Sequence, residues 1–301
     1  MALEIKTILV TCAAGKQGRM ISHLLLEHGF GVTSLVRDRD VPAARKLAAA
    51  GAKLAEGDLD DPASLADATA SVDAVFIVLP PEWSPTAETD ALEFQRGRNI
   101  VDAAKAANVK YLVYSSVGAA DKFADIRPGH KFDIENYVWK SGIDATVLRP
   151  VAFMENYIDQ AATLQSGVLY DPTAPDIRVD LISVRDIAAF GTLAFEDPEH
   201  FRGKTLEIAG DRKRPQEIAE KLAHALETPI AYHHMSSRDL HNHNAILGRM
   251  YDYLNTGDYA GPDLSALREM HPGLLDLQAW LDQGGSDAIG RNFESRKTTA
   301  R

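Results

Sequence analysis

The fold is decided by the stretch from Ile5 to Gly18, which reads IKTILVTCAAGKQG. Its first seven residues are mostly apolar and β-branched, which predicts a strand over residues 5–11. Helical periodicity follows over residues 17–28, so a turn of small residues connects a strand to a helix. A helix N-terminus presents free N–H groups, and glycine lets a ligand approach the backbone. The stretch therefore predicts a loop that binds the phosphates of a dinucleotide.

The turn follows the spacing G-x-x-G-x-x-G, except that Cys12 occupies the first glycine position. Cysteine is small, but it adopts positive φ only at a cost in energy. The strand-turn-helix context favours nucleotide binding over an ordinary glycine-containing turn. Cys12 itself is expected to be a small buried residue and not a redox thiol. The loop residues predicted to contact the cofactor are Cys12, Ala14, Gly15, Lys16, Gln17 and Gly18.

The first half of the chain alternates short apolar runs with longer helical patterns, which is typical of βαβ units and a parallel sheet. Helical patterns lie, for example, at residues 42–50 and 91–107. The predicted fold class is therefore α/β, with a doubly wound parallel sheet of the Rossmann type. Five further strands are predicted, at residues 31–36, 52–54, 73–78, 110–114 and 145–148.

The composition of the chain limits its classes of partner. Its 301 residues include 32 Lys and Arg against 43 Asp and Glu, a formal net charge of −11. Such a surface repels a nucleic-acid backbone and an anionic membrane, so we expect neither as a partner. The single cysteine suits a reducing compartment, so we expect a cytoplasmic protein. We see no signal-peptide pattern and no apolar run long enough to span a bilayer.

The end of the second predicted strand bears on the choice of cofactor. An NAD site usually has a carboxylate about 20 residues past the glycine loop, where it accepts from the ribose 2′-hydroxyl. Here Arg37 comes first after the strand, and its planar cation suits a 2′-phosphate, so NADP(H) is the predicted cofactor. The alternative is that residues 37–40, Arg-Asp-Arg-Asp, form only a solvated charge run.

Two further strand ends contribute residues to the predicted cofactor site. Asp58, followed by Leu59, comes after the third strand and either accepts from the adenine amine or caps the turn before Pro62. Leu79 and Pro80 lie at the carboxyl end of the fourth strand, where ligands of open α/β sheets bind. We expect the last two residues to contribute shape and not chemistry.

Beyond Pro150 the strand pattern gives way to amphipathic helical segments, at residues 216–226, 246–254 and 264–281. We expect an NADP-binding Rossmann domain at residues 1–150, to which a later strand could return. A smaller, mostly helical substrate-binding lobe is predicted at residues 151–283. Residues 284–301 are polar and are predicted to form a loosely held tail.

Several segments together carry a resemblance to a known family. Residues 12–18, CAAGKQG, are similar to that family's G-A-T-G-x-Q-G loop. Residues 130–156 match its segment from H-K-x-x-x-E to L-R-P-x-x-F-M-E-N, and residues 250–255 and 267–273 match its C-terminal pattern. On these residues the chain resembles, over nearly its whole length, the NmrA-like family of atypical short-chain dehydrogenases. These are NAD(P)-binding Rossmann proteins that include NADPH sensors and quinone oxidoreductases.

The resemblance implies that NADP(H) binds across the crevice of the Rossmann domain, with a substrate beside it. By position, Lys131 would contact the nicotinamide ribose. Phe153, Met154 and Asn156 would lie beside the nicotinamide.

Lys131 is also the predicted catalytic residue. Ordinary short-chain dehydrogenases carry Tyr-x-x-x-Lys, in which the lysine helps the tyrosine to pass a proton. Arg127 stands at the tyrosine position here. A lysine beside a bound nicotinamide cation could itself donate a proton. The alternative is a surface lysine paired with Glu135, one helical turn further on.

Other chemistry-bearing residues carry weaker signals. The four histidines within residues 233–243 lack nearby ligands at a spacing that enforces convergence, so we predict a polar loop or pocket wall there and no metal site. His130 has the chemistry of a proton donor, but a histidine at a helix start is more often simply exposed. Trp83, in a proline-rich loop, could cover a substrate.

Two functions from different classes follow from these residues. The first is an NADP(H)-dependent oxidoreductase that reduces a small hydrophobic carbonyl, quinone or conjugated substrate. The second is a non-catalytic redox sensor that binds NADP(H) and regulates a protein partner. The absent tyrosine favours the sensor, whereas Lys131 and Asn156 favour the enzyme.

Overall fold

The structure is a computed structural model that describes residues 3–80, 87–126 and 130–299. The chain divides into two compact units. The first unit comprises Met1–Arg149 and Ile187–Leu206, and the second comprises Pro150–Asp186 and Glu207–Arg301.

The described residues contain the following regular elements. The strands are β1 (Thr7–Val10), β2 (Gly31–Val36), β3 (Lys53–Glu56), β4 (Ala74–Ile77), β5 (Tyr111–Ser115), β6 (Asp144–Pro150), β7 (Ala152–Phe153), β8 (Val168–Asp171), β9 (Val179–Ile182), β10 (Thr205–Ile208), β11 (Asp211–Lys213) and β12 (Ala231–His234). The first helices are α1 (Lys16–Glu27), α2 (Pro42–Ala49), α3 (Pro62–Thr69), α4 (Ala87–Ala106), α5 (Lys131–Ser141), α6 (Asn156–Asp159), α7 (Ala161–Gln165) and α8 (Val184–Glu196). The remaining helices are α9 (Pro198–Phe201), α10 (Pro215–Ala225), α11 (Ser237–His243), α12 (Ala245–Leu254), α13 (Leu264–Met270), α14 (Leu277–Trp280) and α15 (Ser286–Thr299).

A seven-stranded sheet has the order β10-β6-β5-β4-β1-β2-β3. Strands β1 to β6 pair in parallel. The chain builds one half of the sheet outward from β1 and then returns to build the other half from β4, so the order reverses between these two strands. This is the doubly wound Rossmann arrangement that the sequence predicts, and ligands of such sheets bind where the order reverses.

The first unit's core lies on the faces of this sheet. Every residue of β4 is fully buried, as expected of a parallel strand covered by helices on both faces. Leu9, Val75 and Leu112 pack on one face with Ile100 of α4 and Ile134 of α5. The sheet and these helices therefore form the rigid frame from which the carboxyl-end turns project.

The second unit contains strands as well as helices. A three-stranded sheet has the order β11-β9-β7, and β12 pairs in parallel with β8. The segment predicted as one helix over 264–281 is two helices, α13 and α14. They are separated at His271-Pro-Gly, because proline lacks a backbone donor and cannot continue a helix.

The predicted tail beyond residue 284 is largely helical. Residues Ser286–Thr299 form α15, and Ile289 is fully buried in the core of the second unit. The Asn292 side chain also donates a hydrogen bond to the carbonyl of Ile158 at 2.7 Å. The polar composition of the segment conceals this packing. Among the described helices, none is both long enough and apolar enough to cross a bilayer.

Candidate functional site

The turn between β1 and α1 requires a positive φ at one position and the absence of a Cβ atom at another. Cys12 has φ of 47°, in the left-handed region that glycine ordinarily occupies. Its carbonyl oxygen accepts a hydrogen bond from the N–H of Gly15 at 2.9 Å. A Cβ atom on Gly18 would lie 2.3 Å from the same carbonyl oxygen, which is closer than any side chain can approach. The turn is therefore as tight as the glycine spacing predicts, and it is closed around Cys12.

The start of α1 is open. Gly15 is the residue before the helix, and as a glycine it has no side chain with which to cap the N–H groups of the first turn. The first turn also contains no acidic residue, so the positive end of the helix dipole is not neutralised locally. The side-chain oxygen of Gln17 accepts from the hydroxyl of Ser115 at 2.7 Å, which ties the helix to the end of β5. An anion fits such a helix start.

The thiol of Cys12 packs against apolar side chains. It lies against the core cluster of the first unit, and burial raises its pKa to about 12, so the thiol is protonated at neutral pH. The positive charges of Arg37 and Lys131 act on it in the opposite direction. The residue as a whole is half-buried, so the expectation of a fully buried residue is met only in part.

The charge run after β2 divides into paired and unpaired residues. Asp38 accepts from the backbone N–H of Asp40 at 2.7 Å, and the Asp40 carboxylate pairs with Arg45 at 3.0 Å. Arg39 lies 3.4 Å from Glu56. Arg37 is exposed, and the described part of the chain shows no ion-pair partner for it. The two aspartates are thus held in local contacts, and Arg37 is the cation left available to a ligand.

The turn after β3 is held by its own polar groups. The side chain of Asp58 accepts from the N–H of Asp60 at 3.0 Å, and Asp61 caps α3. The turn-capping role that the sequence suggests for Asp58 is therefore present, and its contact with adenine stays a prediction. Arg96 of α4 donates two hydrogen bonds to Asp60, at 2.9 and 2.7 Å, which the sequence does not reveal because α4 lies far along the chain.

The predicted shape-forming residues lie at this edge of the sheet. Leu59 and Leu79 are buried, and Pro80 is half-buried. Residues 81–86, with Trp83, lie outside the described residues, so the prediction that Trp83 covers a substrate remains open.

Lys131, the first residue of α5, forms an ion pair with Glu93 of α4. The Glu93 side chain is only 3% exposed, whereas that of Lys131 is 23% exposed. The buried carboxylate of Glu93 therefore holds the Lys131 ammonium in place, while part of the lysine side chain remains exposed. The alternative prediction, a pair between Lys131 and Glu135, is wrong.

Glu135 is held by other groups. It accepts from Arg149 at 2.8 Å and from the Ser116 hydroxyl at 2.5 Å. Arg149 also pairs with Asp121. The planar guanidinium of Arg149, at the end of β6, contacts both oxygens of the Glu135 carboxylate. A lysine such as Lys131 would offer a single charged nitrogen instead. Spacing arguments missed Glu93 as the partner of Lys131 and Arg149 as the partner of Glu135. For Glu93 the sequence signal was an acidic residue within a helical pattern.

His130 precedes α5 with φ of 50°, again in the left-handed region. Its Nδ1 atom lies 2.7 Å from a carboxylate oxygen of Asp133, and its ring packs 5.9 Å from that of Phe94. The side chain is 22% exposed, so the expectation of a simply exposed histidine is wrong. Arg127, at the tyrosine position of ordinary short-chain dehydrogenases, lies outside the described residues.

The residues assigned by resemblance to the nicotinamide pocket lie in the second unit. Phe153 ends β7 and is half-buried, while Met154 is fully buried in the core of this unit. Glu155 accepts from the Trp280 indole N–H and from the backbone N–H of Val184, each at 3.0 Å. Asn156 begins α6. Contact of Phe153, Met154 and Asn156 with a cofactor stays a prediction.

The histidine-rich stretch is not a loop. His233 and His234 lie on β12, and His241 and His243 lie on α11. His241 pairs with Asp252 at 2.7 Å, so this ring has a carboxylate partner from α12. Within the described ranges, no group of three or more histidine, cysteine or acidic side chains is arranged to hold a metal ion.

Comparison with known proteins agrees with this geometry. The model of the NmrA-like family matches residues 4–283. The chain is 32% identical over 231 residues to the NAD(P)H azoreductase of Xenophilus azovorans, covering 75% of this chain and 76% of the relative. It is 28% identical over 234 residues to quinone oxidoreductase 2 of Escherichia coli K12, covering 77% and 79%.

A solved structure extends the likeness to the fold. NmrA, a negative transcriptional regulator crystallised in complex with NADP, superposes with a TM-score of 0.79 at 18% identity, over 96% of this chain and 98% of that one. At such low identity this comparison shows a shared fold. With the family match spanning both units, the chain belongs to the NmrA-like family.

Proposed function

We propose that this protein is an NADP(H)-dependent oxidoreductase that reduces a small hydrophobic carbonyl, quinone or conjugated compound. The observation that carries the proposal is the open start of α1 behind the tight Cys12 to Gly18 turn, with Arg37 exposed at the end of β2. The names of the relatives support it, since one is an NAD(P)H azoreductase and another is a quinone oxidoreductase.

The residues present fit a dinucleotide. The first-turn N–H groups of α1 would bind the pyrophosphate, and the missing Cβ of Gly18 lets the Cys12 carbonyl close the turn against the start of the helix. Arg37 would bind the 2′-phosphate, because its charge has no competing ion pair among the described residues. Cys12, Ala14, Gly15, Lys16, Gln17, Asp58, Leu59, Leu79 and Pro80 complete the proposed site.

Bound NADPH would supply a hydride to the acceptor. Lys131 would bind the ribose hydroxyls as a donor, since Glu93 holds its ammonium in place. The ion pair with Glu93 holds the ammonium at the start of α5, where Lys131 would orient the cofactor and, as the predicted catalytic residue, donate a proton to the acceptor. By resemblance, Phe153, Met154 and Asn156 would shape the pocket beside the nicotinamide.

The second candidate is the non-catalytic NADP(H) sensor with a protein partner. It is favoured by the fold shared with a transcriptional regulator and by Arg127 at the tyrosine position. A sensor must distinguish NADPH from NADP⁺ in affinity or shape, because a ligand that binds two states equally shifts neither.

Titration calorimetry with NADPH, NADP⁺ and NADH tests the cofactor assignment on wild type and Arg37→Ala. We expect the variant to lose roughly 10- to 100-fold in NADPH affinity, the range for one charged hydrogen-bonded contact, and to bind NADH unchanged. Arg39→Ala is the matched control, because it removes the same charge two residues further on and its arginine is already paired with Glu56. Equal losses of NADPH affinity in both variants would show that Arg37 contributes only general surface charge and no specific contact.

Turnover separates the two candidates. Wild type is mixed with NADPH and a panel of quinones, enones and imines, and the absorbance of NADPH is followed. We expect oxidation with at least one acceptor. Tight cofactor binding without any turnover, together with unequal affinities for NADPH and NADP⁺, would establish the sensor instead.

A further inference from the structure

The side chain of Gln17 extends from the start of α1 to the end of β5. In the sheet, β4 lies between β1 and β5. Neighbouring strands are about 4.8 Å apart, so a group that joins the start of α1 to Ser115 must cross the end of β4. Gln17 makes this connection, since its side-chain oxygen accepts from the Ser115 hydroxyl at 2.7 Å. The pair Gln17–Ser115 is therefore a bridge across the point where the strand order reverses.

The strand end that this bridge crosses is itself held in place. The Thr11 hydroxyl donates to the carbonyl of Val78, just after β4, at 2.6 Å and accepts from the N–H of the same residue at 2.8 Å. Both residues are buried, and Ser115 is only 4% exposed. The bridge thus ends on a buried hydroxyl of the sheet and not on a mobile surface group.

The bridge leaves the donors of the Gln17 carboxamide available to a ligand. A carboxamide has one acceptor oxygen and an NH₂ group with two donors. Ser115 is bound to the oxygen, and within the part of the chain that the structure describes no partner contacts the NH₂ group. Gln17 is also the second residue of α1, where backbone N–H groups are free and attract an anion. Backbone and side-chain donors of one residue are therefore both available to an anion at this helix start.

The direction of the bridge indicates which half of a dinucleotide it would contact. The two halves of a doubly wound sheet receive the two mononucleotides. Arg37 follows β2, so the adenosine half with its 2′-phosphate would lie over β1, β2 and β3. The nicotinamide half would then lie over β4 and β5. Gln17 reaches toward β5 and away from β2, which assigns its carboxamide to the nicotinamide half.

We propose that the Gln17 carboxamide donates to the phosphate on the nicotinamide side of the cofactor and that Ser115 is a positioning residue, which binds the carboxamide oxygen and turns the NH₂ group toward that phosphate. The inference deepens the proposed function and rests on it. A phosphate oxygen accepts hydrogen bonds and donates none. With the carboxamide reversed, its oxygen would face the phosphate, and two acceptors would meet without a proton between them. Only with the oxygen on Ser115 do the hydroxyl, the carboxamide and the phosphate all pair.

Titration calorimetry with two probes separates the halves of the cofactor. NADPH carries both halves, whereas 2′,5′-ADP carries only the adenosine half with its 2′-phosphate and the adjoining 5′-phosphate. We expect Gln17→Ala to lower NADPH affinity by roughly 10- to 100-fold, the range for one hydrogen bond to a charged group, and to leave 2′,5′-ADP affinity unchanged. Equal losses for the two probes, or no loss of NADPH affinity, would overturn the inference.

Ser115→Ala tests the positioning role, because it removes the hydroxyl and leaves Gln17 in the protein. We expect NADPH affinity to fall by roughly 3- to 10-fold, the range for one neutral hydrogen bond, again without a change for 2′,5′-ADP. The double variant Gln17→Ala, Ser115→Ala should bind NADPH as Gln17→Ala does, since Ser115 acts through Gln17. Losses that add in the double variant would show that Ser115 acts independently, which overturns its positioning role.

Gln17→Glu distinguishes a hydrogen-bond donor from a packing group. The carboxylate has nearly the same shape and still accepts from Ser115, but it has no proton to donate and carries the same sign of charge as the phosphate. We expect this variant to bind NADPH more weakly than Gln17→Ala does. An affinity equal to or higher than that of Gln17→Ala would place the carboxamide away from the phosphate and overturn the inference.

Ser22→Ala is the matched control for Ser115→Ala. Ser22 is a fully buried serine on α1, and its hydroxyl donates to the Gly18 carbonyl at 2.7 Å, within the same helix. Urea denaturation checks that each variant is folded, and we expect Ser22→Ala to bind both probes like wild type. A loss of NADPH affinity equal to that of Ser115→Ala would overturn the positioning role. Wild type that binds neither probe overturns the proposed function, whereas tight binding of both probes by every variant overturns this inference alone.

Discussion

The starts of α1 and α5 resemble each other in backbone and differ in chemistry. A non-glycine residue in the left-handed region lies near each, Cys12 before α1 and His130 before α5. Neither helix is capped by the side chain of the residue before it. The first turn of α1 has no acidic residue, whereas that of α5 has Asp133 and a lysine held by Glu93. A similar left-handed residue therefore precedes an α1 start that is open to an anion and an α5 start that is surrounded by charged side chains.

This difference suggests that the two helix starts have different roles in the proposed site. Changes at the start of α1 should act on cofactor affinity, because that end offers backbone N–H groups and no acid or base. Changes at the start of α5 should act on stability and turnover, because Lys131 is paired there with the buried carboxylate of Glu93. The predictions below test that division, from the largest expected effect on stability to the smallest.

The largest effect is expected from Lys131→Met. It removes the cation beside a carboxylate that is only 3% exposed, and breaking such a buried pair costs about 3 to 5 kcal/mol. Urea denaturation of wild type and variant measures the loss. The double variant Glu93→Gln, Lys131→Met serves as control, since it also removes the buried charge and should recover most of the stability. A double variant no more stable than Lys131→Met would show that the pair is not what stabilises α5.

A smaller loss is expected from Gly18→Ala. Its Cβ would lie 2.3 Å from the Cys12 carbonyl oxygen, so the turn must shift, which typically costs about 1 to 3 kcal/mol. Because the shifted turn no longer fits the pyrophosphate, NADPH affinity should fall by far more than the stability change alone predicts. Gly290→Ala in α15 is the matched control, since nothing lies within 4 Å of its added Cβ and alanine favours helix. Unchanged NADPH affinity in Gly18→Ala would show that this turn does not bind the cofactor.

The smallest effect at neutral pH is expected from Cys12→Gly. Relief of left-handed strain and the greater backbone entropy of glycine in the unfolded chain oppose each other, so stability should change by about 1 kcal/mol or less. Above pH 9 the two proteins should diverge. The unfolded thiol ionises from its ordinary pKa of 9.0, while burial holds the folded thiol protonated to about 12.

The folded state of wild type therefore binds more protons than its unfolded state between these values, and its stability should fall relative to the variant by up to about 1.4 kcal/mol per pH unit. Urea denaturation at pH 7, 9 and 10 measures the difference. A gap that does not widen above pH 9 would mean that the Cys12 thiol is accessible to water in the folded protein.

Local patterns were sufficient for most of the Rossmann fold. Strand β2 lies at the predicted residues 31–36, and α2 differs from its prediction by one residue. Such elements depend on hydrophobic periodicity and on proline and glycine at their ends, which short windows of sequence contain. The later failures were the split of 264–281, where a proline interrupts the helical pattern, and the helical start of the tail, whose mostly polar residues give little sign of its packing.

The site was predictable only in part, and the reason is distance along the chain. The spacing of Lys131 and Glu135 correctly places them one helical turn apart, yet each pairs elsewhere, with Glu93 and Arg149 respectively. Buried charges are held by whichever oppositely charged group the packed elements bring nearest, and that group came from α4 in one case and β6 in the other. No spacing rule connects such residues.

The sequence by itself determined the parallel sheet, the tight turn at Cys12 to Gly18 and the cation at Arg37. Each of these depends on steric and periodic rules that act within a few residues. Only the tertiary structure decided that Lys131 is fixed on Glu93 and that His130 is bound to Asp133 through Nδ1. Those roles depend on burial and on charges from distant helices and strands, because the strength of an ion pair is set by the surroundings that folding creates.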